Sequence, residues 1–161
     1  MEENVVRLAF LNSLLANTNT SKFELARLMN KTYQNIFTYF KRDDMKLSYA
    51  QEIADKLGYR LIFNLENETS DNASVVLNIE SMVGESGLNR LAFLQIAMKV
   101  NGIQRKTLAE QLDLHYTGVN RWFKVDDIAI SYIFKIAELH NLKVVIKAEK
   151  KIVQPDVMSL S

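Results

Sequence analysis

The chain has 161 residues, a formal net charge of +1 and no cysteine. Without cysteine, neither disulfides nor thiolate metal sites are available. The acidic start MEENVV is unlike a basic signal peptide, and no apolar run approaches the roughly 20 residues of a membrane span, so we expect a cytoplasmic protein.

One unit occurs twice in the sequence. The segment Leu25–Lys41 has the sequence LARLMNKTYQNIFTYFK. A similar segment, LAEQLDLHYTGVNRWFK, lies 83 residues further on at Leu108–Lys124. The offset holds without a gap from Arg7 and Arg90 onward, which indicates a duplicated folding unit. We expect a first repeat with a trailing strand over 1–66, an acidic linker over 67–89, a second repeat with a trailing strand over 90–153 and a frayed tail over 154–161.

Charge is unevenly distributed along the chain. Residues 7–66 and 90–149 each hold nine Lys/Arg against six Asp/Glu, whereas residues 67–89 contribute −4. Each repeat is therefore mildly basic, which is compatible with two positive faces.

The first two helices of each repeat are predicted from apolar spacing and caps. Helix 1 is expected over Glu3–Asn17, where Leu8 and Leu11 begin an apolar stripe. Helix 2 begins with a capping box at Ser21–Glu24. The second copy has Gln104–Thr107 at this place, which is a weaker cap.

Helix 3 follows a short turn, Asn30–Thr32 in one copy and Asp113–His115 in the other. Its buried face is predicted from the apolar positions, with aromatic side chains expected in the core. These positions are Ile36, Tyr39 and Phe40, with the equivalents Val119, Trp122 and Phe123.

Helix 4 is expected to begin at Ser48 or Ser131, which are good N-cap residues. It is expected to stop at Gly58 or Asn141, the residue types that tolerate a left-handed conformation after a helix.

Each repeat then continues into a predicted strand. Tyr59–Glu66 and Leu142–Glu149 read as strands, the second extending as far as Val153, and Ser74–Glu80 favours a strand in the linker. We expect a mainly α fold in which two tandem four-helix modules, each followed by a strand, are joined by a small antiparallel sheet.

The pattern Ser21-x-x-Glu24-Leu25-Ala26-x-x-Met29, a turn, then Thr32-x-x-x-Ile36-x-x-Tyr39 resembles the lambda-repressor-like (Cro-type, Xre family) helix-turn-helix. The resemblance covers 7–57 and 90–140. This family consists of DNA-binding transcriptional regulators that commonly bind as two-fold dimers. Two features depart from the family: the turn glycine is Asn30 or Asp113, and acidic pairs at 43–44 and 126–127 follow helix 3, where the family is usually basic.

The resemblance implies that helix 3 enters the major groove of duplex DNA while the start of helix 2 grips phosphate. Arginine pairs with guanine, and glutamine or asparagine with adenine, so Arg121, Gln34 and Asn120 are the strongest base-reading candidates. The full set of expected base contacts is Tyr33, Gln34, Phe37, Thr38, Tyr116, Thr117, Asn120 and Arg121. The expected phosphate contacts are Lys22, Lys41, Arg105, Lys106 and Lys124.

Several residues have a structural interpretation beside the functional one. The Asp pairs are better explained as turn formers and caps than as obstacles to phosphate. Tyr33 and Tyr116 are balanced between DNA contact and packing at the helix start. The histidines at 115 and 140 make a poor metal site, and no motif of an enzyme is present, so we expect no catalytic residue, metal or cofactor.

Two functional hypotheses follow. The leading one is a sequence-specific regulator of transcription that binds double-stranded DNA through both repeats, as an intramolecular pseudo-dimer on an imperfect palindrome. The alternative is a protein-binding adaptor or antitoxin-like regulator with weak or no DNA binding, supported by the modest charge, the acidic loops and Phe37. A homodimer, or a division of labour in which Arg105, Lys106 and Arg121 make the second repeat the DNA reader, is also open.

Overall fold

The computed structural model describes residues 6–67 and 89–151, which form eight helices and two strands. The prediction of a mainly helical chain with a small antiparallel sheet is confirmed, whereas the predicted strand Ser74–Glu80 and the tail 154–161 lie outside the described residues. The elements are α1 (Ala9–Asn17), α2 (Lys22–Leu28), α3 (Tyr33–Arg42), α4 (Leu47–Lys56), β1 (Tyr59–Asn67), α5 (Ala92–Val100), α6 (Arg105–Gln111), α7 (Tyr116–Val125), α8 (Ile130–Leu139) and β2 (Leu142–Lys150).

The duplication is complete at the level of the backbone. Every element from α5 to β2 begins and ends 83 residues after its counterpart in the first repeat. Left-handed positions also recur at this offset, as at Asn30 and Asp113. The predicted helix stops are confirmed, since Gly58 has a φ of 86° and Asn141 a φ of 54°. The two repeats therefore share one backbone path.

The two strands pair with each other, and their register has a two-fold symmetry. β1 runs antiparallel to β2 with Phe63 opposite Ile146, which are equivalent positions of the two repeats. The first residue of each strand lies opposite the last residue of the other. An exchange of the repeats thus leaves the register unchanged, so a pseudo-two-fold axis passes through the pair Phe63 and Ile146.

The hydrophobic core closes around this pair. The Phe63 ring lies 5.5 Å from the ring of Phe10 and 6.1 Å from that of Phe93, between centroids, and these two phenylalanines are again equivalent. Leu61 and Leu65 are buried in the same core cluster as Phe63. Each such side chain contributes about 1.5–3 kcal/mol by burial. A two-stranded sheet that is marginal alone is thereby stabilised by the helices of both repeats.

A second junction lies on the same axis. Lys46 and Ala129, also equivalent positions, form an isolated antiparallel bridge. Two backbone hydrogen bonds flank it, one from the Leu47 N–H to the Ile128 carbonyl at 2.8 Å and one from the Ile130 N–H to the Met45 carbonyl at 2.9 Å. The repeats are therefore fixed to each other at two separate places.

Each repeat caps the fourth helix of the other. The Asp127 carboxylate accepts hydrogen bonds from the N–H (3.0 Å) and the hydroxyl (2.5 Å) of Ser48. The Asp44 carboxylate accepts from the N–H (2.8 Å) and the hydroxyl (2.7 Å) of Ser131. The free N–H groups at the start of α4 and α8 are thus satisfied across the axis.

The prediction that Ser48 and Ser131 are N-caps is therefore wrong. The N-cap residues are Lys46 and Ala129, neither of which makes a side-chain cap bond, and the serines lie in the first turn as donors. The physical reason is that a carboxylate from the other repeat supplies the acceptor that an N-cap side chain would otherwise provide.

The predicted start of helix 1 at Glu3 is also wrong within the described residues. α1 begins at Ala9, and residues 6–8 are not helical. The Asp43 carboxylate accepts hydrogen bonds from the N–H groups of Arg7 (2.7 Å) and Leu8 (2.9 Å). Asp126 does the same for the second repeat. A side chain from the end of helix 3 therefore sets where helix 1 starts.

The predictions for the start of helix 2 are confirmed. The Ser21 hydroxyl accepts from the Glu24 N–H at 3.1 Å, and the Glu24 carboxylate accepts from the Ser21 N–H at 3.2 Å. Gln104, at the equivalent place, makes no side-chain cap bond.

Removing either cross-repeat cap is expected to destabilise the protein. Asp44→Ala or Asp127→Ala leaves the first turn of the opposite fourth helix without its acceptor, and we expect the free energy of unfolding to fall by about 1–2 kcal/mol. Urea denaturation followed by circular dichroism measures the change. Glu138→Ala removes an exposed carboxylate on α8 and should change stability by less than about 0.5 kcal/mol. Equal effects of all three variants would contradict the capping role.

Tyr49, in the first turn of α4, carries a buried hydroxyl. Its ring packs against Tyr39, with centroids 4.9 Å apart, and its oxygen has no hydrogen-bond partner among the described residues. Burial, followed by the proximity of Tyr39 and of the Glu52 carboxylate, raises the pKa of Tyr49 from 10.0 to about 12. The folded protein therefore keeps this hydroxyl protonated over a pH range in which the unfolded chain releases the proton.

This shift predicts a loss of stability at alkaline pH that depends on Tyr49. Between pH 10 and 12 the unfolded state binds fewer protons at this residue, so the free energy of unfolding falls as pH rises, by on the order of 1 kcal/mol at pH 11.5 once solvent screening of this half-buried side chain is allowed for. In Tyr49→Phe this contribution is absent. The stability difference between Tyr49→Phe and wild type should thus grow by that amount from pH 8 to 11.5. Tyr132→Phe, at the equivalent position, is the comparison variant, and a constant difference for Tyr49→Phe would refute the assignment.

Candidate nucleic-acid interface

The second and third helices of each repeat carry the residues predicted to contact DNA. Met29–Thr32 connects α2 to α3, and Leu112–His115 connects α6 to α7. Asn30 and Asp113 have φ values of 55° and 56°. Asn and Asp tolerate this left-handed conformation, so the connection forms without glycine.

The predicted base contacts of α3 differ in exposure. Gln34 and Phe37 are exposed, while Tyr33 and Thr38 are half-buried. The Thr38 hydroxyl donates a hydrogen bond to the Gln34 carbonyl at 2.8 Å. Because the proton of Thr38 is used within the helix, only the acceptor capacity of its oxygen is left for a ligand.

Three aromatic side chains form a cluster on this face of the first repeat. Tyr33 stacks on Phe23 with ring centroids 3.9 Å apart and planes at 9°, and it contacts Phe37 at 5.9 Å. Phe23 is 67% exposed and Phe37 40% exposed. We call Phe23, Tyr33 and Phe37 the aromatic cluster. Tyr33 thus packs within this cluster while half-buried, and its contact with DNA stays a prediction.

Phe23 is the functional candidate that the sequence analysis missed. It lies on α2 outside the buried positions Leu25 and Ala26, so the helix does not need an apolar residue there. Its equivalent in the second repeat is Lys106. A comparison of the two copies at exposed positions would have singled it out.

The corresponding face of the second repeat is polar. Tyr116, Thr117 and Arg121 are exposed on α7, and Asn120 is half-buried. Asn120 occupies the place of Phe37, so this face has no aromatic cluster. The structure therefore gives the two predicted recognition surfaces different chemistry on the same backbone.

Arg105 is held in place by two neighbours. Its guanidinium lies 4.1 Å from the centre of the Phe123 ring, a cation–π geometry. Its Nη1 donates a hydrogen bond to the Asn120 Oδ1 at 3.0 Å. Because arginine carries only donors, the oxygen of the Asn120 carboxamide must face Arg105, and its NH2 group is the part left for a ligand.

The other predicted phosphate contacts are cations at the edges of the same helices. Lys22, equivalent to Arg105, lies with its ammonium 4.9 Å from the centre of the Phe40 ring. The remaining three are exposed, at the start of α6 and in the last turns of α3 and α7; they are Lys106, Lys41 and Lys124.

The acidic pairs after α3 and α7 are turned toward the protein. Asp43 and Asp126 accept from the backbone at the start of the first helix of their own repeat, and Asp44 and Asp127 from the fourth helix of the other. This supports their interpretation as turn formers and caps.

Other kinds of site find no support in the described part of the chain. Residues 6–67 and 89–151 contain no group of three His, Asp or Glu side chains that could hold a metal ion. The His140 Nε2 lies 2.8 Å from the Gln111 Oε1. Within the same ranges every helix is too short or too polar to cross a bilayer.

Comparisons of the chain with protein-family models, with curated proteins and with solved structures found no match. We therefore infer function from the residues of α2, α3, α6 and α7 themselves.

Proposed function

We propose that the protein is a sequence-specific regulator of transcription that binds double-stranded DNA through two tandem helix-turn-helix units. In this proposal α3 and α7 enter successive major grooves, and the repeats act as an intramolecular pseudo-dimer. The supporting observation is the pseudo-two-fold axis that exchanges the repeats, because a two-fold arrangement of recognition helices matches the two-fold symmetry of duplex DNA.

The path of the chain is consistent with this geometry. The middle of α3 lies about 8 Å from its end, and four further residues, spanning at most about 14 Å, reach Lys46 on the axis. With a bridge about 5 Å wide, the centres of α3 and α7 are at most about 49 Å apart. The spacing of about 34 Å between half-sites one helical turn apart lies within this limit.

The target should be an imperfect palindrome, because the two faces differ. The first repeat presents Gln34 and Phe37, and the second presents Thr117 and Arg121. Glutamine fits adenine, arginine fits guanine bidentately, and phenylalanine can contact the thymine methyl group.

The salt dependence of binding tests the proposal. With five phosphate contacts, affinity for a duplex enriched from a random library should fall on the order of 10²- to 10³-fold between 50 and 200 mM salt. Arg121→Ala and Gln34→Ala should each cost about 1–3 kcal/mol and relax base preference in a different half-site. Fluorescence anisotropy measures both effects. Lys99→Ala, an exposed cation on α5, is the control.

The DNA proposal fails if no duplex is enriched and binding at 50 mM salt is negligible. The pseudo-dimer is contradicted if Arg121→Ala and Gln34→Ala relax base preference in the same half-site.

The contact between Arg105 and Asn120 constrains how the second repeat would read its base. The carboxamide oxygen of Asn120 faces Arg105, so Asn120 offers only its NH2 donor to DNA. It should therefore prefer a base that presents acceptors in the major groove, such as guanine. Bidentate pairing with adenine would need the oxygen as well. This modifies the expectation for Asn120 drawn from residue type alone.

Replacing Arg105 should therefore change base preference as well as affinity. In Arg105→Leu the carboxamide is free to offer both its oxygen and its NH2 group, so we expect preference to move toward adenine at one position of the site. Lys106→Leu removes the same charge from the adjacent residue and should weaken binding without changing preference there. Selection of duplexes from a random library with each variant gives the result, and identical preferences for the two variants would contradict the constraint.

The aromatic cluster supports a second candidate function, a protein-binding adaptor or antitoxin-like regulator. Exposed aromatic side chains are enriched where proteins contact proteins. A weak or absent salt dependence together with binding of a protein partner would favour this candidate.

A further inference from the structure

A cleft opens beside the aromatic cluster of the first repeat. It is a shallow depression, open to solvent, with a volume of about 320 Å³, and it is lined by Phe23, Glu24, Ala26, Arg27, Lys31 and Tyr33. The stacked rings of Phe23 and Tyr33 form its apolar wall. Arg27 and Lys31 are exposed cations at its edge.

The duplication shows that the fold does not require this cleft. The second repeat keeps the same backbone with Lys106 in place of Phe23 and Asn120 in place of Phe37. The two cations are equally specific to the first repeat, since Arg27 is matched by Glu110 and Lys31 by Leu114. The apolar wall and its positive edge are thus local to the surface of one repeat.

The charges at the cleft indicate the kind of occupant. The one acidic side chain among its lining residues, Glu24, is already engaged as the capping partner of Ser21. Arg27 and Lys31 favour an acidic ligand. They also disfavour a two-fold contact with a second copy of this chain, because such a contact would place the same cations opposite each other.

We propose that this cleft docks an acidic segment of a partner protein, with one aromatic or large aliphatic side chain inserted against Phe23 and Tyr33. The inserted side chain covers the exposed Phe23 ring, and flanking Asp or Glu residues pair with Arg27 and Lys31. Docking itself does not depend on DNA binding. Where the DNA proposal holds, the occupant and DNA compete for the first repeat, since Tyr33 belongs to both surfaces.

The test uses a library of random 12-residue peptides displayed on phage and panned on the full chain. We expect enrichment of peptides in which Asp or Glu flanks a Phe, Trp or Leu. The leading peptide, labelled with fluorescein, is then titrated with wild type and variants by anisotropy. Phe23→Lys, which installs the residue of the second repeat, and Arg27→Glu should each weaken binding at least about tenfold, a loss of about 1.4 kcal/mol.

Matched controls distinguish specific docking from non-specific binding and from misfolding of a variant. Val100→Lys replaces an apolar residue that is 49% exposed on α5, outside the cleft, and should leave affinity unchanged. Phe23 is largely exposed, so Phe23→Lys should unfold at the same temperature as wild type. A peptide with Lys in place of each Asp and Glu should not bind.

Docking is overturned if no acidic-aromatic consensus is enriched, if Phe23→Lys binds the leading peptide as well as wild type, or if the Lys-substituted peptide binds equally. DNA anisotropy on the same proteins is scored separately, so failure of docking and failure of DNA binding are distinguishable.

Discussion

The fold depends on the contact between the repeats at the pseudo-two-fold axis. There the Asp44 and Asp127 carboxylates cross the axis to the first turn of α8 and α4, next to the backbone bridge between Lys46 and Ala129. The β1–β2 ladder fixes the same symmetry at a second place. A module of about 60 residues buries too little surface to be very stable alone, so burial against its sibling supplies what each repeat lacks. The positions of α3 and α7 relative to each other follow from these two junctions.

The surfaces of the two repeats have diverged although their backbones coincide. In both repeats a cation at the start of the second helix lies over an aromatic ring. The pairs are Lys22 with Phe40 and Arg105 with Phe123. Around this common feature the first repeat has an aromatic cluster and the second has a polar face in which Arg105 orients Asn120. Cation–π contacts of this kind hold a side chain in place while its charge stays available. The contrast between the aromatic cluster and the polar face thus lies in exposed and half-buried side chains on a common backbone path.

The sequence predicted the parts of the fold that local pattern controls. The capping box at Ser21 and the stops at Gly58 and Asn141 depend on neighbouring residues, and the structure confirms them. The 83-residue offset follows from comparing the two copies, and the helices and strands keep it. The starts of helices 1 and 4 were mispredicted because the groups that satisfy their N–H donors are carboxylates 35 or more positions away, which no local pattern encodes. At the candidate site, residue type singles out Arg121 and Gln34 as candidates, which stays a prediction, but it could not reveal that Asn120 is engaged by Arg105.

A covalent duplication also explains how the two faces could come to differ. In a homodimer both subunits have the same sequence, so a substitution on one face also appears on the other. Phe23 and Lys106, which are equivalent positions, could not then differ. Here each half varies independently, while the covalent connection spares the entropy cost of bringing two subunits together. The residues on the axis do not have this freedom, because Asp44 and Asp127 each serve the opposite repeat. Such a chain can therefore keep a symmetric frame and present two unlike surfaces, one with an exposed aromatic cluster and one with polar side chains.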